Sequence, residues 1–451
     1  MRKLPGILCA LGISLSVSAQ TQATEFNDII SAESAKSAAE KAEAQEKPAD
    51  DHDKKPEINQ NLIVTKINFQ GLKKTKDSYI QSKVKKFTGR PLAETDLHAL
   101  ETAVQLEELF DDIHITPSQI DAYNAEIIVS VKEKITFIPL PFALVSSSGF
   151  MAGAVVMDTN AFGRKDNFLI GGFFSNSSKT GMASFSKQPK EHGIPGLALF
   201  VSGAQNNPEL VNLDEDTVLK YKANSFSANL ALIEKIGEHF SIANAYGFKY
   251  LSTRDDKKFP ARAPESIKAG ITSLNIGYSK SDWNGVFMST NSIAVSGEIG
   301  LTNMDEKDFR HPFGLSFAIG AQHPIFIERL RIYQKMSGFY GKRNHIAFFK
   351  GQGEGSVNIL PGSFVTERIV GGNAGLEIAV AKFSWATISI YGDYQLVYTK
   401  DMDKDYELMH GPNGGVRFYL SKIAFPALAI GVAYNATKHY FQAAAAMGVS
   451  F

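Results

Sequence analysis

The last stretch of the chain, Gly414 to Phe451, sets the tightest limit on what this sequence can fold into. It reads GGVRFYLSKIAFPALAIGVAYNATKHYFQAAAAMGVSF. In the final run Phe441, Ala443, Ala445, Met447, Val449 and Phe451 fall on one face, opposite Tyr440, Gln442, Ala444, Ala446, Gly448 and Ser450. In the run before it Leu428, Ile430, Val432 and Tyr434 oppose Ala429, Gly431 and Ala433, and a polar turn, Asn435 to Lys438, separates the two. A period of two specifies strands. A strand that places Phe451 on its apolar face needs a surface to bury that face against, and in a transmembrane barrel the surface is lipid. A water-soluble β-sandwich also alternates, so this stretch alone leaves both readings open.

Composition narrows the choice. The chain has 451 residues, room for one large domain and a small one. Lys and Arg total 47, as do Asp and Glu, so net charge points to no anionic partner such as nucleic acid. Mean hydropathy is −0.12. No run beyond the N-terminus approaches the ~20 apolar residues of a membrane helix. Helical membrane proteins are thereby excluded, while barrels, with their polar inner half, are permitted. Glycine (37) and phenylalanine (31) are abundant, as tight inner packing and aromatic girdles require.

Residues 1–19 read as a secretory signal peptide: Arg2 and Lys3, an apolar core from Leu4 to Leu15, then Val17-Ser-Ala19, with Ala23 as a second cleavage point. The only cysteine, Cys9, lies within that core and not at a lipoprotein cleavage position. Residues 20–60 are biased toward Ala, Glu, Lys, Asp and Ser and lack the apolar surface to fold alone. They read as a disordered tether or, alternatively, as a partner-binding segment. Residues 61–135 form a compact α/β unit. Ile63, Thr65, Ile67 and Phe69 alternate; Ile80, Val84 and Phe87, then Leu97, Leu100, Val104 and Leu109, take helical spacing; Ile113 with Ile115, and Ile127, Val129 and Val131, make two more strands. The order is strand, helix, helix, strand, strand.

This unit resembles a POTRA domain of the outer-membrane protein assembly superfamily, the BamA, TamA and two-partner secretion transporter group. The matching residues are Ile67-Asn-Phe69-Gln-Gly71, Gly89 with Pro91, Leu106 to Ile113, and Val129-Ser-Val131-Lys-Glu133. Pro139-Leu-Pro141 marks a boundary, and residues 140–451 read as a β-barrel. Alternating runs recur there every ~20 residues between Gly, Asn, Asp and Pro turns, which gives about sixteen antiparallel transmembrane strands, an even number as closure wants. Asp158 to Gly163 resembles the superfamily's first barrel turn. The polar inserts Asn206 to Thr217, Thr253 to Glu265 and Lys400 to Tyr406 read as surface loops.

In the superfamily the sixth extracellular loop folds inward, and an arginine at its tip meets an acidic residue on the lumen wall. The resemblance carries this to Asn358 to Gly372, with Arg368 as the arginine and Glu377, Tyr391 and Asp393 as its lumenal partners. Ile369 and Val370 stand where the superfamily has glycine and an aromatic. Met447, Val449 and Phe451 are the expected C-terminal barrel signal. The resemblance implies a bacterial outer-membrane surface-antigen-type barrel with its N-terminal domain in the periplasm, where it assists insertion of other outer-membrane proteins or translocation of a polypeptide. The implied mechanism is strand pairing at the α/β domain and a lateral seam in the barrel. The implied partners are lipid, extended client polypeptides, and periplasmic chaperones or an accessory protein. The rival readings are a passive porin or solute channel and a surface-exposed structural protein. No enzyme signature stands out, the ten histidines lack metal spacing, and no cofactor or metal is expected. Gly351-Gln-Gly-Glu-Gly355 reads as a loop or flexible strand rather than a phosphate cradle.

Overall fold

The computed structural model describes residues 59–447 apart from 147–148, 176–177, 190–192, 254–265, 284–286, 305–308, 326, 384, 403–404 and 421–427. The leader, nearly all of the tether, Val449 and Phe451 lie outside the described residues, as does the side chain of Met447.

The N-terminal domain runs β1 (Ile63–Gln70), α1 (Asp77–Val84), α2 (Leu97–Gln105), β2 (Phe110–Gln119) and β3 (Asn124–Glu133). This is the order the spacing predicts. Its sheet is β1-β3-β2, with β1 parallel and β2 antiparallel to β3. Ile80, Val84, Leu100 and Val104 bury the helices on Ile67, Ile127 and Val129. Asp96 caps α2 by accepting from Ala99 N at 2.9 Å. The first strand departs from simple alternation. Val64, Ile67 and Phe69 are buried while Ile63 and Thr65 are exposed, because the ladder shifts register between Val64 and Lys66. A bulge there moves the chain from one face to the other.

Sixteen strands then form one antiparallel sheet. They begin with β4 (Phe137–Ser146), β5 (Gly149–Asp158), β6 (Asn167–Ser175), β7 (Ser178–Lys187) and β8 (Gly196–Asn206). After a small hairpin, β9 (Glu209–Val211) and β10 (Thr217–Lys220), come β11 (Ala223–Ile236), β12 (Phe240–Thr253), β13 (Ser266–Trp283), β14 (Met288–Thr302), β15 (Phe313–Ile325) and β16 (Ile327–Lys342). Two short strands, β17 (Lys350–Gly351) and β18 (Val365–Thr366), lie in the next loop. The sheet closes its sequence with β19 (Arg368–Lys382), β20 (Ala386–Lys400), β21 (Tyr406–Leu420), β22 (Leu428–Asn435) and β23 (Tyr440–Met447). The first strand starts at Phe137, so the prolines do not precede the sheet. Pro139 and Pro141 lie within β4, which among the described residues pairs with β5 alone. An edge strand tolerates prolines because it has a side that needs no donors.

The sheet is two-faced. Ile293, Val295, Ile299 and Leu301 on β14 and Ile390, Leu396 and Tyr398 on β20 are exposed, whereas Ser389, Asp393, Gln395 and Thr399 between the latter are buried. Burial of the polar face requires the sheet to curl. Its two ends do meet through side chains: Ile138 and Met157, from β4 and β5, pack with Leu420 and Leu428, from β21 and β22. Among the described residues no ladder joins β4 to β23. The insert between β8 and β11 is not the solvated loop its polarity predicts. It folds as β9-β10 and buries Leu210, Leu213 and Leu219, since three leucines spaced among polar residues can cover the open interior.

The N-terminal domain docks on the turn between β5 and β6, which defines the near end of the sheet. Lys74 Nζ meets the Asp158 carboxylate at 2.6 Å, Asn160 Nδ2 donates to Thr75 Oγ1 at 3.0 Å, and Lys76 N donates to Gly163 O at 2.8 Å. Gly163 has φ +72, and a Cβ there would lie 2.2 Å from Lys74 O. Lys165, from the same turn, reaches Glu107 at 3.8 Å; Lys83 is 3.4 Å from that carboxylate and the Tyr79 hydroxyl donates to it. Burial pushes the Glu107 carboxyl up, but Lys165, Lys83 and Tyr79 outweigh it and hold the group at about 2.

Two outcomes follow for docking. Gly163→Ala should release the domain while both parts stay folded, broadening the distance distribution between spin labels placed on α1 and on the turn between β11 and β12. An unchanged narrow distribution would refute the fit. The Glu107 contribution is complete above the unfolded carboxylate value of about 4.3 and is lost as pH falls from there toward 2. The same labels should therefore show loosening across that window, and Glu107→Gln should abolish the pH dependence.

Candidate functional site

The interior of the curled sheet holds a charge cluster built by β16, β19, β20 and β21. Glu377 on β19 is fully buried. Arg331 on β16 donates to it from Nη2 at 2.6 Å and Nε at 3.0 Å. Arg417 on β21 and Ser389 on β20 also donate to it, and Tyr419 Oη does so at 2.6 Å. Phe287 covers Arg331, its ring centroid 4.6 Å from the guanidinium carbon. One carboxylate thus holds two guanidiniums and two hydroxyls, which is how a buried charge is made tolerable.

Farther from the N-terminal domain, Asp393 on β20 accepts from Tyr333 Oη at 2.7 Å, Asn413 Nδ2 at 2.9 Å and Gln395 Nε2 at 2.9 Å. Tyr391 lies between the two carboxylates with Arg417 4.2 Å over its ring. The ring needs Gly415 and Gly431, paired across β21 and β22: a Cβ on either would lie 2.8 Å or 2.2 Å from the Tyr391 hydroxyl oxygen.

The loop between β16 and β19 folds onto this column. A 3-10 turn, Gln352–Gly355, rests on β16 and β19. Ser337 Oγ donates to Glu354 O at 2.8 Å, and Asn373 Nδ2 donates to Ser356 O at 2.7 Å. Asn358 N donates to Gln395 Oε1 at 2.6 Å, and Asn435 Nδ2 to Ile359 O at 3.0 Å. Gly371 permits the approach, since a Cβ there would lie 2.6 Å from Gly355 O. Val357, Ile359, Leu360 and Phe364 then bury themselves with Leu213 of the β8–β11 insert. The glycine cluster at 351–355 therefore rests against the inner wall, and Ser356 and Asn358 reach one position deeper.

The expected pairing of Arg368 with Glu377 or Asp393 does not occur. Arg368 points outward, donating from Nη1 to Tyr406 Oη at 2.9 Å with its guanidinium 4.8 Å from the Tyr340 ring. The reason is parity. Residues 371, 373, 375 and 377 face inward on β19, and 368 belongs to the other series. Glu377, Tyr391 and Asp393 do come together inside, with Arg331 and Arg417 as the cations. Both of those were readable in principle. Arg331 stands between Leu330 and Ile332, and Arg417 between Val416 and Phe418. A charge flanked by apolar neighbours at period two must face the polar side. Which cation meets which carboxylate depends on strand register, which alternation does not give. Among the described residues no group of His, Cys, Asp and Glu could hold a metal.

The described residues thus form a curled sixteen-stranded sheet with an inward loop and a docked α/β domain. The comparisons agree at the level of fold. BamA from Haemophilus ducreyi lacking POTRA domains 1–3 superposes with TM-score 0.50 at 15% identity, over 86% of this chain and 83% of that one. CdiB from Escherichia coli gives 0.57 at 11%, over 86% and 75%. CdiB from Acinetobacter baumannii gives 0.54 at 14%, over 83% and 70%. No protein-family model and no curated protein matches the sequence. The chain has the fold that BamA and CdiB share.

Glu377→Gln should leave Arg331 and Arg417 buried with no full countercharge, a loss of about 3–5 kcal/mol, read as an earlier denaturant midpoint of the barrel in detergent. Arg368→Ala, which touches only outward groups, should cost about 1 kcal/mol or less. Equal effects would show that the cluster does not carry the stability assigned to it.

Proposed function

We propose that this chain is an outer-membrane barrel that handles other polypeptides, inserting barrel proteins or translocating an extended chain, with its N-terminal domain as a single POTRA module in the periplasm. The observation that carries the reading is the docking of a strand-helix-helix-strand-strand domain onto the near end of a sixteen-stranded sheet of BamA-like and CdiB-like fold. The apolar outer face supports the membrane placement. Phe383 and Trp385 stack at 6.1 Å at the near end of β19 and β20, and Tyr398 and Tyr406 stack at 5.1 Å at the far end. Trp385 and Tyr398 are about 43 Å apart along the strand, or about 30 Å in height at a tilt of about 45°, the thickness of a hydrocarbon core.

The mechanism needs no hydrolysis. β2 is an open edge of the domain sheet, with Ile120 and Tyr123 exposed beyond it, and is suited to strand addition by an incoming segment. The seam between β4 and β23, which no ladder joins among the described residues, is where the barrel would open laterally. The inward loop argues against a passive pore, because it occupies the path a solute would take.

The test is deletion of residues 61–134. The remaining barrel should still insert and shift its gel mobility on heating, while the level of its client proteins in the outer membrane falls. Unchanged client levels would refute the polypeptide-handling role. In planar bilayers the intact protein should conduct little, and removal of residues 344–364 should raise conductance; a large steady conductance in the intact protein would favour a channel.

A further inference from the structure

Arg368 is half-buried on the outer wall at the far end of β19, and the interior cluster does not use it. Around it stand Tyr340 on β16, Tyr398 and Lys400 on β20, and Tyr406 on β21, all of the outward series. Its guanidinium is held by the Tyr340 ring at 4.8 Å and by Tyr406 Oη at 2.9 Å. Lys400 Nζ lies 2.6 Å from the Glu367 carboxylate, which is 3.9 Å from Arg368 Nε, beyond hydrogen-bond reach. Lys342, the next outward residue after Tyr340, is exposed. Three cations therefore share one contacting carboxylate among the described residues, at the height where the apolar band ends. Tyrosines at such a boundary keep their rings in the apolar layer and their hydroxyls in the polar one. A guanidinium held by two of them keeps its Nε buried and presents its terminal Nη groups toward a phosphate.

We infer that Arg368, Lys400 and Lys342, framed by Tyr340, Tyr398 and Tyr406, bind the phosphorylated head group of a lipid in the leaflet at the far end of the barrel. This rests on the membrane placement proposed above. The ligand class follows from charge complementarity and position: a phosphate at the head-group level, attached to acyl chains lying along the outward faces of β16 and β19–β21.

The experiment uses the full chain in lipid nanodiscs and native mass spectrometry. The probe is a bisphosphorylated acylated glucosamine disaccharide, compared with the same lipid lacking its phosphates. The wild type should retain the phosphorylated lipid preferentially. Arg368→Gln with Lys400→Gln should reduce retention about tenfold, while Lys268→Gln, exposed at the far end of β13 on another wall, should not. Equal retention by the double variant, equal retention of the lipid without phosphates, or an equal loss with Lys268→Gln would each overturn the inference. Heat-modifiable mobility of every variant separates the two levels of failure. A wild type that does not form a heat-modifiable barrel removes the membrane placement and this inference together; one that does, without discriminating the lipids, removes this inference alone.

Discussion

The interior of this curled sheet is arranged around the carboxylate of Glu377. A fully buried anion is tolerable only with several good donors, and here four arrive from three neighbouring strands, two of them arginines. Asp393 adds a second anion to the same wall. Such a network is a poor source of net stability, because desolvation consumes most of what the pairing returns. Its effect is geometric. Each donor reaches Glu377 only if β16, β19, β20 and β21 keep one register, so a slip of one residue would turn every member outward.

That fixed wall is what the inward loop rests on. Asp393 orients Gln395, and Gln395 receives Asn358 N of the loop. Ser337 holds the loop backbone at Glu354 within the 3-10 turn, and Asn373 holds it at Ser356 just after the turn. The loop thus reaches an acidic residue through an amide and not through an arginine. The departure at Ile369 then has a physical sense. Ile369 faces inward and packs where a Cβ on Gly355 would meet it at 2.8 Å, so an apolar contact with Gly355 and Val397 occupies the place where a charged tip would otherwise be anchored.

The strand order of the N-terminal domain, the sixteen strands and the two-faced sheet were all legible, because each depends on period alone. The polar lumenal trio of Glu377, Tyr391 and Asp393 was legible for the same reason. Three things were not. The bulge between Val64 and Lys66 breaks the period, and nothing in Ile63-Val-Thr-Lys66 announces it. The placement of Pro139 and Pro141 inside β4 depends on that strand's being an edge, a property of topology. The pairing of Arg331 and Arg417 with Glu377 depends on register across four strands, including a 25-residue loop between β16 and β19. Arg368 is different in kind, since its odd separation from Glu377 on a common strand already placed it on the opposite face.

The same contrast between side-chain and backbone bonding bears on where the sheet can yield. The wall from β16 to β21 is cross-linked from inside by the Glu377 and Asp393 networks. The last hairpin is held differently. At the near end Leu420 and Leu428 pack on Ile138 and Met157. At the far end Lys438 meets Asp214 at 2.7 Å and Gln442 Nε2 donates to Glu215 at 2.9 Å, both acceptors belonging to the insert between β8 and β11. A partly exposed ion pair is worth about 0–1 kcal/mol, and each ladder hydrogen bond in the sheet about 0.5–1.5. Parting β23 from β22 would break a ladder of eight residue pairs, whereas moving the hairpin away from β4 breaks side-chain contacts: the Leu420 and Leu428 packing, the Lys438 and Gln442 contacts with the insert, and the Asn435 and Ala433 contacts with the inward loop. In the membrane placement proposed above, backbone groups left bare in lipid would be the main obstacle to opening the sheet. Pro139 and Pro141 have no N–H to leave bare, so parting at β4 exposes two donors fewer than the same strand without prolines would.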